Sequence, residues 1–541
     1  MTQFPLLSAI IAVPLIGALI ALIMPRRAAW GWGIAIAVIG LGLSLAVIPL
    51  FSSSTTGFQL AESQPWLPEL GVTYTLGVDG LSVFLLGLNA LLTLVALIAS
   101  PADLARGERS RGYVALMLAL SGAMQGVFLA TNLFLFYIFW ELMLVPAYLL
   151  VGMFGGPRRT YAAIKFVLYT AAGSLLMLIG IIWVGVVTTS AANIPFSLDL
   201  STLLAKGVPA YAQPVLFFAF MAAFAVKAGL FPLHNWAPDA YTQAPAPVAV
   251  MVAGVMAKTA VYAMLRFVLP LFPKAAIQYF PLIGTLAVIG ILYFAAQALV
   301  SNDIKRLLAY VSLSHMSVII LAIFAMNQQG IQGAILQMIN HGVIIAALFL
   351  IAGAVEERVN ARRLTEFGGL ATRLPWLATA FMIASLAALG LPGLSSFAGE
   401  FLAFLGAFHA SPVYGAVATL VVIPAAWYML RFFQGMMQGP TPEKGPVAEA
   451  LLAGGAVASG PGAPARRRAE RRGSGAIRDL GWREALALLP LIALMFYLGV
   501  APNTVTARTE ATTNQIVIGL NTAQSLLMPP ENVHLSAPGR P

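Results

Sequence analysis

The chain has 541 residues, of which 60% are hydrophobic and only 9% charged, and its formal net charge is +10. Soluble proteins are about a quarter charged, so a water-soluble multidomain fold is excluded and the composition indicates a polytopic membrane protein that does not bind nucleic acid. The absence of cysteine excludes disulfides, thiolate-bound iron–sulfur clusters and thiol nucleophiles.

Apolar runs long enough to cross a bilayer occur fourteen times along the chain. The first run has no basic segment before it, so we predict a retained helix rather than a signal peptide. We number the predicted spans helices 1 to 14: 4–24, 28–50, 80–100, 112–130, 131–151, 162–186, 212–231, 247–270, 279–299, 304–325, 330–353, 376–406, 409–432 and 484–501.

Two of these spans contain helix-breaking residues, and both are predicted to be discontinuous. Helix 7 carries Gly229 and Pro232, and helix 12 carries the run 390–393, GLPG. Proline removes a backbone donor and clashes with the preceding turn. Interrupted backbone at membrane depth is tolerated only where it lines protein or water.

The two broken helices lie five helices apart, which predicts two five-helix repeats, helices 4–8 (112–270) and helices 9–13 (271–432). Because five is odd, the second repeat is inverted, as in many transporters. The alternative is a chance match, since proline is common in membrane helices. Helices 1–3 (1–111) precede the repeats, and a flexible Arg/Gly/Ala/Pro-rich loop (433–482) follows them. Helix 14 and a loose polar tail (483–541) complete the predicted organisation.

Basic residues are distributed unequally between the two sides of the predicted bundle. Twenty-two of the thirty lie in loops on one side, whereas only five are assigned to the other: Lys206, Arg266, Lys274, Arg508 and Arg540. The positive-inside rule therefore predicts a cytoplasmic position for the basic side and places both termini outside. The run 465–472, ARRRAERR, lies in the cytoplasmic loop and is interpreted as a solvated linker rather than a lipid-binding segment.

Six ionisable residues fall near the middle of apolar spans: Glu141, Lys227, Lys258, His315, His341 and Glu400. A charge at the centre of a membrane helix costs about 2.5–3.5 kcal/mol, so these groups are expected to face one another or water. A polar residue lies four positions from four of them, as in Ser396 and Glu400, and so shares a helix face with each. A purely structural pairing is the alternative, most of all for the two histidines.

Carboxyl, imidazole and amine groups can each bind and release a proton, so this set predicts a proton relay. A Glu141–Lys227 contact that opens and closes would switch the lysine between holding and releasing its proton. Lys258, His315 and His341 would then be relay sites and Glu400 the far end.

Other ionisable groups are given lesser roles. Lys165 is expected to snorkel to the cytoplasmic surface, and His234 is weighed evenly between a water path and a structural role. His409 and His534 are interpreted as incidental, and the histidines make a weak metal site, so no metal is predicted.

Several segments resemble the antiporter-like membrane subunits of respiratory complex I, over nearly the whole chain. They are FWELMLVPAYLL, AVKAGLFPLHNWAPDA, KRLLAYVSLSHMS, GAILQMINHG and LGLPGLSSFAGEF. Related subunits usually carry a lysine in helix 12, and Glu400 at that position is similar to the M-type branch. Tyr241 departs from the pattern, because a histidine often follows the PDA triplet.

This resemblance implies an all-helical proton channel driven from a distance, as a subunit of a proton-translocating NADH–quinone oxidoreductase. Glu141 and Lys227 match the family's coupled pair, Lys258 its central lysine, Glu400 its exit carboxylate, and His315 and His341 its central polar axis. NAD(P)H, FMN, iron–sulfur clusters and quinone are expected in partner subunits, with L-type and N-type subunits as neighbours in a cell inner membrane. The alternatives are a subunit of a cation/proton antiporter or membrane-bound hydrogenase, and a non-conducting scaffold.

Overall fold

The apolar runs fold into α-helices, because a helix satisfies its own backbone hydrogen bonds where no water is available. The computed structural model describes residues 5–453 and 478–525. Within these residues, eleven helices are long and apolar enough to cross a membrane, and three shorter apolar helices, 83–98, 213–228 and 375–388, complete the fourteen predicted spans. The predicted helical membrane fold is confirmed, apart from one β-hairpin. The division into two inverted repeats stays a prediction.

The spanning helices keep their predicted numbers, with halves a and b for the broken ones. Their bounds are Leu6–Ile23 (1), Arg26–Leu50 (2), Val83–Ile98 (3), Ser110–Leu129 (4), Leu133–Phe154 (5), Arg159–Ala192 (6), Gln213–Ala228 (7a), Trp236–Gln243 (7b), Ala246–Leu271 (8), Pro273–Val300 (9), Ile304–Phe324 (10), Gln328–Val359 (11), Pro375–Ala388 (12a), Ser395–Ala410 (12b), Pro412–Met437 (13) and Trp482–Val500 (14). Short helices connect them at Ala102–Arg106, Leu200–Lys206 and Pro446–Ala453.

Both predicted breaks occur, and each begins at a glycine with a left-handed backbone conformation. Gly229 (φ +75°) ends helix 7a, and Gly390 (φ +71°) follows helix 12a. Such a conformation favours glycine because it has no Cβ. Helix 8 is irregular in another way, since it contains two π-helical turns, Val252–Met256 and Met264–Val268. Lys258 lies between them.

A β-hairpin between helices 2 and 3 was not predicted. Strands β1 (Gln59–Leu67) and β2 (Val72–Val78) pair antiparallel with two irregularities in register. Glu62 of β1 accepts hydrogen bonds from the backbone N–H groups of Leu7 and Ser8, at 2.7 and 3.0 Å. The carboxylate thereby satisfies free donors at the start of helix 1 and fastens the hairpin to the bundle. We call this end of the bundle the hairpin side and the opposite end the basic side.

The prediction of a loose tail after helix 14 is wrong for residues 503–525. Asn503–Ser525 form a helix whose Thr512 hydroxyl accepts a hydrogen bond from the Gly80 N–H at 3.1 Å. The predicted loop 433–482 likewise contains the end of helix 13 and the helix Pro446–Ala453. The run 465–472 and residues 526–541 lie outside the described residues.

The spanning helices differ in burial, which locates the interior of the bundle. The most apolar stretches of helices 8, 10 and 11 are entirely buried, whereas fewer than half of the residues in those of helices 1, 2 and 14 are buried. The exposed surface is apolar, as expected for helices that face lipid or another membrane subunit. Polar groups on helices 8, 10 and 11 therefore lie in the centre of the molecule.

Candidate functional site

Lys258 is completely buried in the middle of helix 8. Its Nζ lies 2.7 Å from the Ala253 carbonyl oxygen, in the first π-helical turn, and 2.7 Å from Nδ1 of His341 on helix 11. A lysine ammonium has donors only, so Nδ1 of His341 accepts when Lys258 is charged, and the imidazole proton is then on Nε2. The π-helical turn thus supplies a carbonyl that fixes the amine against the histidine.

Two histidines continue the line from Lys258. The rings of His341 and His315 stack with centroids 5.5 Å apart and planes inclined by 29°. Nδ1 of His315, on helix 10, lies 2.8 Å from Oε1 of Glu400. His341 Nε2 is buried and has no hydrogen-bond partner among the residues of the described structure. Buried polar atoms are normally paired with protein or water, so a water molecule next to this atom is expected to connect the two rings.

Glu400 lies in helix 12b, just beyond the break, and ends the line. Its Oε1 accepts hydrogen bonds from Gln337 Nε2 and Ser396 Oγ, both at 3.0 Å. A cavity of about 10 Å³, lined by Glu400, His315 and Tyr428 among others, adjoins the carboxylate. That volume is about what one water molecule requires. The Ser396 spacing noted in the sequence is therefore a real contact, whereas Gln337 binds Glu400 rather than its own neighbour His341.

Glu141 and Lys227 lie side by side on helices 5 and 7a but are not in contact. Among the ion pairs of residues 5–453 and 478–525, none joins them. The buried Lys227 amine lies over the Trp140 ring, 3.7 Å from its centroid, and 3.5 Å from the Trp140 carbonyl oxygen. Glu141 Oε1 is buried and finds no hydrogen-bond partner in the described part of the chain.

The six predicted residues thus form two groups. Lys258, His341, His315 and Glu400 are connected by hydrogen bonds and ring stacking, whereas Glu141 and Lys227 form a separate pair. Helix 7a packs against helix 8, so the two groups occupy neighbouring helices. The first group is a row of bases and acids spaced for short proton transfers, and the second places a buried lysine on the neighbouring helix.

Two other charged residues form ion pairs. Lys165 remains partly exposed, with 22% of its side chain accessible, and its Nζ pairs with Oδ2 of Asp239 in helix 7b at 2.7 Å; its snorkelling to the cytoplasmic surface stays a prediction. Arg266, which the charge count assigned to the less basic side, lies near the end of helix 8, within its predicted span 247–270, with 6% exposure. Its guanidinium binds the Asp79 carboxylate at 2.5 and 2.6 Å. Neither pairing was predicted, because the partners are 74 and 187 residues apart in sequence.

The remaining histidines lie apart from the line. His234, in the break of helix 7, is 4% exposed and packs against Phe231 and Phe294 with ring centroids 5.8 and 4.6 Å away. His409 is exposed at the end of helix 12b, and His534 lies outside the described residues. Within the described ranges there is no group of three or more His, Asp or Glu side chains able to hold a metal ion.

Comparison with known proteins relates this arrangement to membrane transport complexes. Residues 130–424 match the family described as "NADH:quinone oxidoreductase/Mrp antiporter, TM". NADH-quinone oxidoreductase subunit M of Rickettsia prowazekii is 36% identical, over 84% of this chain and 86% of the relative. Subunit M of Mycobacterium tuberculosis is 38% identical, over 93% and 92%. A chain of respiratory complex I from Thermus thermophilus superposes with a TM-score of 0.80 at 31% identity and covers 94% of this chain and 99% of its own length.

Proposed function

The chain belongs to the NADH:quinone oxidoreductase/Mrp antiporter family of membrane proteins, and from this membership we propose that it is the proton-translocating M-type subunit of an NADH–quinone oxidoreductase. The observation that carries the proposal is the buried line from Lys258 through His341 and His315 to Glu400. Four groups that exchange protons are expensive to bury, and their alignment across helices 8, 11, 10 and 12b has a direct use in proton transfer.

The geometry supports a sequence of short transfers. Lys258 gives its proton to His341 Nδ1 across 2.7 Å. The imidazolium releases its Nε2 proton towards His315, which passes a proton to Glu400 across 2.8 Å. The Glu400 carboxyl then releases the proton into the adjacent cavity. Movement of one charge against 100 mV requires about 2.3 kcal/mol, which the redox reaction in other subunits supplies.

Lys227 controls the first transfer through its charge. When the Lys227 ammonium pairs with Glu141, the two charges largely cancel. When it lies over Trp140, as in this structure, its positive charge is no longer neutralised by a contact. An unneutralised cation in a low-dielectric interior repels a second one, so Lys258 is driven to release its proton. Opening and closing of the Glu141–Lys227 contact is thus the proposed link to electron transfer.

The complex around this chain follows from the same proposal. NAD(P)H, FMN, iron–sulfur clusters and quinone bind in partner subunits, with L-type and N-type subunits as membrane neighbours. The chain lies in the cell inner membrane, with its basic side in the cytoplasm and both termini on the opposite side. Residues 1–111, 112–270, 271–432, 433–482 and 483–541 are its proposed units. The family also includes Mrp antiporters, so a cation/proton antiporter subunit is the second candidate, and a membrane-bound hydrogenase subunit is a third.

Replacement of Glu400, the last residue of the row Lys258–His341–His315–Glu400, tests the proposal. We expect Glu400→Gln to assemble but to pump protons at least about tenfold more slowly, because an amide does not take up the proton from His315. Glu400→Asp keeps a carboxyl group and is expected to retain most of the pumping. The measurement is NADH-driven acidification of vesicles that contain the assembled complex. Equal pumping by Glu400→Gln and the native complex would contradict an exit through Glu400 and favour a scaffold role.

The break in helix 12 provides a second test with a matched control. A Cβ on Gly390 would lie 2.9 Å from Oε2 of Glu400, whereas one on Gly393 would meet nothing within 4 Å, and both glycines have positive φ. Alanine at either position costs roughly 1–2 kcal/mol of backbone strain, so both variants are expected to lower the Tm of the complex similarly. Only Gly390→Ala is expected to slow pumping as well, because it displaces the carboxylate. Equal pumping by both variants would show that the close approach of residue 390 to the Glu400 carboxylate does not affect proton transfer.

A further inference from the structure

A second set of buried polar residues runs between helices 3 and 4, away from the Lys258–Glu400 line. Every member is at least nine-tenths buried. We call this set the helix 3–4 seam, and its members are Ser82, Asn89, Thr93 and Ser100 on or beside helix 3 and Tyr113, Ser121 and Gln125 on helix 4. Because the two helices are antiparallel, the seam extends from the hairpin side at Ser82 to the basic side at Ser100.

Hydrogen bonds connect the two helices at successive levels of the seam. Ser100 Oγ lies 2.7 Å from the Tyr113 hydroxyl on the basic side. In the middle, Thr93 Oγ1 donates to Ser121 Oγ at 2.9 Å, and Asn89 Nδ2 donates to the Ser121 carbonyl at 2.9 Å. Polar side chains of the two helices therefore meet at two levels of their contact, in the middle and on the basic side.

Two amide oxygens of the seam lack partners. Asn89 Oδ1 and Gln125 Oε1 are buried, and neither accepts a hydrogen bond from any of the described residues. Side chains that served only to bind two helices together would be expected to satisfy each other. A buried amide oxygen without a protein partner is instead the usual site of an internal water molecule.

Each end of the seam reaches a cavity. On the basic side, Ser100 and Glu357 line a cavity of about 320 Å³ between the ends of helices 3, 8, 11 and 14. On the hairpin side, Asp79 and Arg266 line a cavity of about 280 Å³, together with Gln515 of the C-terminal helix. Both volumes exceed what several water molecules require.

The Arg266–Asp79 pair closes the hairpin end. The carboxylate holds the guanidinium through two short bonds and also accepts from the backbone N–H groups of Leu81 and Ser82, at 3.0 and 3.3 Å. Arg266 Nε donates to the Tyr262 hydroxyl at 3.0 Å. A fixed arginine in a narrow pore is an electrostatic barrier to protons. Arg266 is fixed by three hydrogen bonds, two to the Asp79 carboxylate and one to the Tyr262 hydroxyl.

We propose that the helix 3–4 seam is a second, water-filled proton pathway through the chain, kept closed by the Arg266–Asp79 pair. Its hydroxyl and amide groups do not themselves change protonation near neutral pH. They order water, through which the proton moves without any covalent step. The closed pair prevents protons that have been pumped from returning along the seam. Arg266 is therefore a residue that preserves coupling, distinct from the residues that carry the pumped proton.

Thiol labelling tests whether the seam contains water. The native chain has no cysteine, so a single introduced cysteine is the only labelling site in this subunit. We expect Ser121→Cys in the assembled complex to react with the small cation methanethiosulfonate ethylammonium at least tenfold faster than Ala123→Cys. Ala123 is also completely buried on helix 4 but is not a seam residue. Equal rates, measured by the mass of the labelled peptide, would overturn the water-filled seam.

Passive proton conductance tests the gate. In vesicles with the resting complex, Arg266→Gln is expected to raise proton leak several-fold, while Arg266→Lys, which keeps the charge, raises it less. Adding Asn89→Leu to Arg266→Gln should return the leak to the native level, because leucine displaces water from the seam. Adding Glu400→Gln should leave it unchanged.

A leak removed by Glu400→Gln, or no leak in an assembled Arg266→Gln complex, would overturn the gate. If Arg266→Gln does not assemble, the Ser121→Cys labelling rate decides the proposal. These outcomes are independent of the proposed function, because the Glu400→Gln pumping test involves no seam residue.

Discussion

Replacement of Lys258 by methionine is expected to slow proton pumping by about tenfold or more, since each 1.36 kcal/mol added to a barrier slows a step tenfold. Methionine has a similar length and fills the buried site, but it has no proton to give to His341 Nδ1, now 2.7 Å from the amine. The variant is expected to assemble, because removal of a buried charge saves its desolvation cost. In a tightly coupled complex, NADH oxidation slows together with pumping.

Lys206→Met is the matched control for this prediction. Lys206 ends the short helix Leu200–Lys206 and is exposed, so the same chemical change is made outside the bundle core. We expect native rates of pumping and electron transfer for the control. If Lys258→Met pumps as fast as Lys206→Met at equal amounts of assembled complex, Lys258 is not a site through which the proton passes.

Glu141→Gln is expected to slow proton pumping about as much as Lys258→Met does, but for a different physical reason. The amide keeps the shape of the side chain but removes the only charge that can neutralise Lys227 from helix 5. Lys227 then stays over Trp140 with its charge uncompensated, and Lys258 is not easily reloaded with a proton. We expect pumping to fall by about tenfold, a barrier increase of about 1.4 kcal/mol. The measurement is the initial rate of vesicle acidification after NADH is added.

The exposed Glu108, on the basic side, provides the control Glu108→Gln, which is expected to pump normally. Glu141→Asp should be intermediate, because it keeps the charge but shortens the reach towards Lys227. Full activity of Glu141→Gln would mean that Lys227 is controlled by another group, and the switch at helices 5 and 7a would have to be abandoned.

The number and the order of the spanning helices could be predicted from the sequence because lipid imposes a length and an apolar composition on each. The two breaks could also be predicted, since Pro232 and the run 390–393 cannot continue a helix. The hairpin 59–78 was missed because only Val72–Val78 alternates apolar and polar residues, whereas its partner Gln59–Leu67 has no such alternation and contains a proline. The helix Asn503–Ser525 was missed because it is polar and is fixed by contacts such as Gly80–Thr512.

The members of the site could be proposed from the cost of burying charge, but their contacts could not. The spacing of Ser396 and Glu400 along one helix predicts a shared face, and that contact is present. Contacts between helices, such as Lys258 with His341, depend on helix rotation, which one sequence does not determine. Arg266 was overlooked for a related reason. Near a span end an arginine is usually solvated, and only the fold brings Asp79 within 2.6 Å of it.

The most direct test of the account is the number of protons pumped per electron pair, with both quantities measured in the same vesicles. The complexes to compare carry Glu141→Gln, Lys258→Met or Glu400→Gln, beside their controls Glu108→Gln, Lys206→Met and Glu400→Asp. We predict that the proton-to-electron ratio or the coupled turnover rate falls in all three test variants and stays close to native in the three controls. A native ratio at native turnover in all three fully assembled test variants would contradict a proton path through this chain.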